Sequence, residues 1–306
     1  MLRIDCMKKY WLVSLTFSML FVSTLITAQV NQVPFFDSKG AVRLQTVEMG
    51  ALADTIAIVN HRADDVVWSR VVYRVIDMRE KQNYQLYFPL RPNEEYRSLF
   101  RVMLDAICNG VDVYKKNPRD IKPSFSEKLE GEELSKAFAF DNDMDNNLIQ
   151  VNAVTQQRTI GTDQYMKYVK NQMKFLIQEI IFFDKHLSRM YTKIIAIAPM
   201  YALNPDNVDS KESMQYFRGS ILGWFSFDEL RPELAKQNVI PNGNESQRLS
   251  FDEFFAQKLY SSYLLGDSNM FNRMLLDYVV DPAKIKKEQN RIETEIMNVE
   301  QDLWEY

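Results

Sequence analysis

Two long apolar runs rich in Ile and Phe, Met173 to Phe183 and Met190 to Ala198, are parted by the polar group Asp184, Lys185, His186 and Ser188. β-Branched and aromatic residues at this density favour extended backbone, and a short polar break between two such runs predicts a hairpin. Within it, Ile180 to Phe183 and Ile194 to Ala198 show no clean alternation, which predicts cover on both faces. Such strands need helices packed on them. The expected class is therefore α+β: an antiparallel sheet that includes the 173–198 hairpin, with packed helices and a C-terminal helix.

Helical periodicity is clearest after Asn93. That residue stands as a cap, Glu94 and Glu95 follow, and Tyr96, Leu99, Phe100, Met103, Leu104 and Ile107 recur by threes and fours until Gly110, which supplies a left-handed stop. Ser250 and Glu253 form a capping box for a short helix with Phe254, Phe255, Leu259 and Tyr263 on one face. Asp281 and Pro282 open a C-terminal helix striped by Ile285, Ile292, Ile296, Val299 and Leu303.

Residues 64–81 pull in two directions. Asp64 and Asp65 at the start, Arg79 and Lys81 at the end, and Val67, Val71, Val75 and Met78 at helical spacing predict a helix. The β-branched residues from Val71 to Ile76 favour a strand. Beyond these, Tyr84 to Phe88 is expected to be extended, Val111 to Tyr114 a strand and 117–123 a loop. Ser126 to Phe138 is expected to be a helix, and Gly219 to Phe227 a further strand.

The amino terminus predicts export. Lys8 and Lys9 precede an apolar run from Tyr10 to Ile26 that ends in Thr27, Ala28 and Gln29, the layout of a cleavable secretory signal over 1–28. No cysteine follows the apolar run directly to accept a lipid. Residues 29–63 read as an extended arm and 64–306 as a single α+β domain. Removing 1–28 from the 306 residues leaves 278, enough for a real core, and removes Arg3, Lys8 and Lys9 against Asp5, so a formal charge of −4 becomes −6. An acidic surface of this kind does not attract nucleic-acid phosphates.

Candidate chemistry is sparse. His61 and His186 stand far apart with no neighbouring cysteine, so zinc spacing is not met. Cys108 lies on the apolar side of a predicted helix, where a free thiol behaves as a small hydrophobe. No Gly-x-Ser-x-Gly elbow is present, and nine glycines leave little room for a phosphate loop. Asp141, Asp143 and Asp145 alternate as in a calcium loop, but position twelve would be Asn152, where a bidentate acid is needed. The acid pairs Glu132–Glu133 and Asp252–Glu253 could serve a carboxylate hydrolase, yet each sits where a helix's first turn or polar face takes acids anyway. No catalytic, metal or cofactor residue is assigned. Trp224, Phe225, Trp304 and Tyr306 are the candidate anchors for partners.

Five blocks occur together in order: residues 64–81 with Trp68, Arg70, Tyr73 and Asp77; Phe182-Phe183-Asp184-Lys185; Lys193 to Pro199; Arg248 to Asp252; and Asp302 to Tyr306. In these the chain resembles the GldN (PorN) family of the Bacteroidetes type IX secretion and gliding machinery. The resemblance implies a non-enzymatic periplasmic component at the inner face of the outer membrane. It implies rings formed with a GldK (PorK) outer-membrane lipoprotein, through which membrane association would be indirect. It also implies contact with the periplasmic region of GldM (PorM), part of the GldL–GldM motor. Rings need one patch of a subunit to meet a different patch of the next, and the arm and the C-terminal helix are the expected patches.

Overall fold

The Ile- and Phe-rich runs pair with each other as expected, and the hairpin they form is the centre of the main sheet. A computed structural model describes residues 55, 56, 59, 61–92, 96–117, 121–138, 148–152, 154–161, 173–201, 221–241, 249–270, 273–279 and 281–304. The first strands are β1 (Val66–Asp77), β2 (Val113–Lys116), β3 (Pro123–Lys128), β4 (Ile149–Val151) and β5 (Arg158–Ile160). β6 (Met173–Asp184) and β7 (Arg189–Tyr201) make the hairpin, followed by β8 (Trp224–Ser226), β9 (Asn238–Val239), β10 (Leu249–Ser250) and β11 (Tyr263–Asp267). The helices are α1 (Tyr84–Tyr87), α2 (Leu99–Cys108), α3 (Gly131–Ala137), α4 (Phe227–Ala235), α5 (Phe251–Ala256), α6 (Leu275–Tyr278) and α7 (Pro282–Trp304). Seven strands form one sheet in the order β11-β1-β6-β7-β8-β2-β3, and its pairings are antiparallel.

Both faces of this sheet are buried, which is why its central strands do not alternate. On one face Ile76, Phe175, Ile177, Ile197 and Phe225 pack with Leu99–Ile107 residues of α2, Leu230 and Leu234 of α4, and Phe251, Phe254 and Phe255 of α5. On the other, Tyr73, Val75, Leu176, Ile180, Ala198, Trp224 and Leu265 form a second cluster. A β-bulge adjusts the register, because Gln178 faces Ala196 while Glu179 faces Ile194. Ile195 is the extra residue, so Ile194 joins the first cluster and Ile195 the second.

Several expectations are corrected. Residues 66–77 are strand β1, not a helix: with Val72, Val75 and Ile76 all wholly buried, β-branched density outweighs the helical spacing. Tyr84–Tyr87 is a helical turn rather than extended. α2 begins at Leu99 under Ser98, whose hydroxyl accepts from the Arg101 N–H, so Asn93 is not its cap. Gly110 does follow its C-cap, with φ +101. The stretch 126–138 splits into β3 and α3. The capping box at Ser250 is present, but α5 stops at Ala256; Leu259 is exposed beyond it and Tyr263 belongs to β11. The polar run 141–147 and residues 1–54 lie outside the described residues.

Candidate functional site

Three polar constructions hold peripheral segments to the sheet and its helices. The first is a buried ion pair between α4 and α5. Arg231 of α4 and Asp252 of α5 are 3% and 1% exposed. Arg231 Nε donates to Asp252 Oδ1 at 2.7 Å and Nη2 to Oδ2 at 2.9 Å, a bidentate arrangement. The pair also grips the arm by its main chain. The Ile56 N–H donates to Asp252 Oδ2 at 2.9 Å, and the Ile56 carbonyl accepts from Arg231 Nη2 at 2.6 Å. Both of these bonds are made by the main chain of Ile56.

The second lies at the hairpin tip. Asp184 closes β6, and its Oδ1 accepts the N–H groups of His186 at 2.8 Å and Leu187 at 3.1 Å, forming the turn. Its Oδ2 lies 2.6 Å from Nδ1 of His61. The imidazole packs edge-on to Phe182 at 4.9 Å and tilted on Tyr191 at 4.3 Å between ring centroids. Burial pushes the Asp184 carboxyl up, but the His61 bond and the two backbone N–H groups outweigh it and hold the carboxyl below its ordinary range. Thus His61 is not a free histidine, and His186 contributes its backbone rather than its ring to the turn.

The third is the seam under α7. Arg70 and Arg74 of β1 reach Glu295 at 2.9 Å and Glu293 at 3.2 Å. Ile292 is buried with Val72, Leu264 and Leu275, and the Gln289 amide donates to the Leu264 carbonyl. Behind the seam, Glu179 of β6, opposite the β7 bulge, is 1% exposed. It accepts from the Tyr260 hydroxyl at 2.8 Å and faces Arg74 Nε at 3.6 Å and Lys258 Nζ at 3.9 Å. Burial, then the Glu179 charge, push the Tyr260 hydroxyl far up, and burial pulls the Lys258 ammonium down.

The structure places the sequence candidates as follows. Trp224 and Phe225 are wholly buried, on opposite faces of the sheet, and Trp224 Nε1 donates to the Ile121 carbonyl at 3.0 Å. They are core residues of this fold rather than surface anchors. Trp304 is the last residue of α7; its side chain, and Tyr306, lie outside the described residues. Glu132 pairs with Lys136 and Glu133 with Lys115, while Asp252 holds Arg231 and Glu253 completes the capping box. Cys108 is half-buried, and burial followed by the Asp105 charge raises its thiol. Among the described residues no group of three or more His, Cys, Asp or Glu could hold a metal ion. The arm grips at Ile56 and His61 escape sequence reasoning, because their partners lie more than a hundred residues away. The one local hint was Asp184 opening the polar break of the hairpin.

The family described as gliding motility associated protein GldN matches residues 61–305, from the histidine seated on the hairpin tip through the end of α7. The chain belongs to the GldN family. No curated protein matches it. As a GldN-family chain it is a component of the gliding-motility and type IX secretion machinery. Among the described residues no helix is long and apolar enough to cross a membrane.

Proposed function

We propose that this GldN-family chain is a non-enzymatic periplasmic subunit of the type IX secretion machinery, held at the inner face of the outer membrane in rings with a GldK-type lipoprotein. Through the periplasmic region of a GldM-type protein it receives the motion of the GldL–GldM motor and passes it to the secretion apparatus. The observation that carries this reading is the family match over residues 61–305, which takes in β1 to β11 and α1 to α7. Two features support it. The predicted signal over 1–28 delivers the chain to the periplasm without a lipid of its own, so a lipidated partner is needed to keep it at a membrane. The carboxylates that suggested hydrolytic chemistry are engaged with cations or a helix cap.

The test is affinity isolation of the tagged native chain from solubilised envelopes, with electron microscopy of what is recovered. Ring-shaped particles containing the lipoprotein are expected. A monomer recovered without either protein overturns the reading.

A further inference from the structure

We infer that the outer edge of β1 at residues 67–69 is a strand-addition site for an extended, apolar segment of another protein. In the sheet β6 flanks β1 along its whole length, whereas β11 flanks only part of it. The pairing with β11 ends at Val72, which faces Asp267. Ser268 adds one step more: its N–H donates to the Val71 carbonyl at 2.7 Å, and its hydroxyl accepts from the Val71 N–H at 3.2 Å. Asn269 and Arg273 then close a loop of their own. The Asn269 amide donates to the Arg273 carbonyl at 2.6 Å, and the Arg273 N–H donates to the Asn269 side-chain oxygen at 3.0 Å. The main-chain groups of successive strand residues point to opposite sides. Since those of Val71 face Ser268, those of Ser69 face the same outer side, and among the described residues nothing bonds them.

This stretch is open to solvent, because Val67 is 58% exposed and Ser69 is exposed as well. Sheet edges are ordinarily guarded by charge, proline or a covering element. The opposite edge of the sheet, β3, carries Pro123, Glu127 and Lys128. The edge at β11 is covered by α7, whose Gln289 amide donates to the Leu264 carbonyl. Val67, Trp68 and Ser69 include neither a charge nor a proline. The bulge at Val67, which falls between Asp184 and Phe183 in register, bounds the open edge at its start and leaves Ser69 in regular register with Phe182. Met270 is 89% exposed and follows Ser268 by two residues, so apolar side chains stand near both ends of the vacant step. Such an edge takes a peptide by its extended backbone and selects it by its side chains, here apolar ones. In the main sheet no other edge of this chain is both uncovered and uncharged. A second copy could therefore offer only this same edge, which closes as a two-fold pair, whereas a component of a secretion and gliding machinery meets other proteins. Nothing in this contact depends on ring formation.

The experiment places photo-reactive benzoylphenylalanine at Val67 of the full chain in cells that carry the native machinery, and identifies the peptides joined to it on irradiation. One segment of one other protein is expected. Ser69→Pro deletes the outward N–H at an edge position, where proline is tolerated, and should abolish the crosslink. Ser69→Ala keeps both main-chain groups and should retain it, each variant unfolding at the parent's temperature. Hydrogen exchange gives a reading that needs no substitution and decides the matter if Ser69→Pro lowers Tm. The Ser69 amide should exchange fast in the isolated chain and more slowly, by about tenfold or more, in the complex recovered from solubilised envelopes. A crosslink that survives Ser69→Pro, or an amide equally fast in the complex, overturns strand addition. A slow amide in the isolated chain overturns it too, since the edge is then already taken. Crosslinks to a second copy of this chain alone overturn the assignment to another protein.

Discussion

Replacing Asp252 with alanine leaves the Arg231 guanidinium buried without its counter-charge and the Ile56 amide without its acceptor. Removing one partner of a buried ion pair costs about 3–5 kcal/mol, far more than the net worth of the pair itself. Asp252→Ala should therefore lower the unfolding free energy by about that amount in urea titration, and the double variant Arg231→Met with Asp252→Leu should regain much of the loss. Asp77 offers a pH test. Burial pushes its carboxyl up, but side-chain and backbone bonds with Arg79 and the Lys174 charge prevail and hold it at about 2, from an ordinary 3.8. Because the native carboxyl is the more acidic, its stabilisation is fully present above about pH 4 and is lost as pH falls towards 2. Asp77→Asn should flatten stability against pH within that window, as followed by thermal unfolding at successive pH values.

The elements show where local pattern and tertiary context part company. Gly223 precedes β8 so closely that a Cβ there would collide with Val113 Cγ1 of β2 and approach Leu129 Cδ1 at 3.2 Å. A β-branched side chain in a packed strand has little room to yield. Gly223→Ala should thus destabilise by about 1–3 kcal/mol, measured as a lower Tm with an otherwise native spectrum. For α7, magnitudes decide what docks it. The partners Glu293 and Glu295 are 41% and 43% exposed, so each ion pair contributes at most about 1 kcal/mol. Truncating buried Ile292 costs about 2–5 kcal/mol. Ile292→Ala should release α7 in hydrogen exchange, while Glu293→Gln with Glu295→Gln should change its protection little. The hairpin, α2, the capping box of α5 and α7 were legible because each rests on short-range pattern. β1 was not, since burial on both faces erases alternation and leaves valines whose spacing imitates a helix. The arm grips were not, because a backbone contact between residues 175 or 196 positions apart leaves no local trace.

At the scale of the molecule, a sheet covered on both faces, held to α7 on one side and to the arm at two points, is a stiff body with attachments at its periphery. A stiff subunit suits the transmission of motion proposed for it, because displacement applied at one attachment reaches the others without being absorbed by the core. The carboxyl-terminal end of α7 is the remaining candidate contact. Ile292, Glu293, Glu295 and Ile296 make the helix's seat on β1, β6 and β11. Leu303, Trp304 and Tyr306 follow that seat in sequence, and large aromatic side chains are frequent anchors for partners. Ending the chain after Val299 removes residues 300–306, these three among them, and keeps the described bonds of the seat. The shortened chain should therefore unfold at the same temperature as the full one, yet be recovered with the GldK-type lipoprotein in much reduced amount. Equal recovery at equal Tm would show that Trp304 and Tyr306 make no contact of assembly, whereas a lowered Tm would assign them to the subunit's own core.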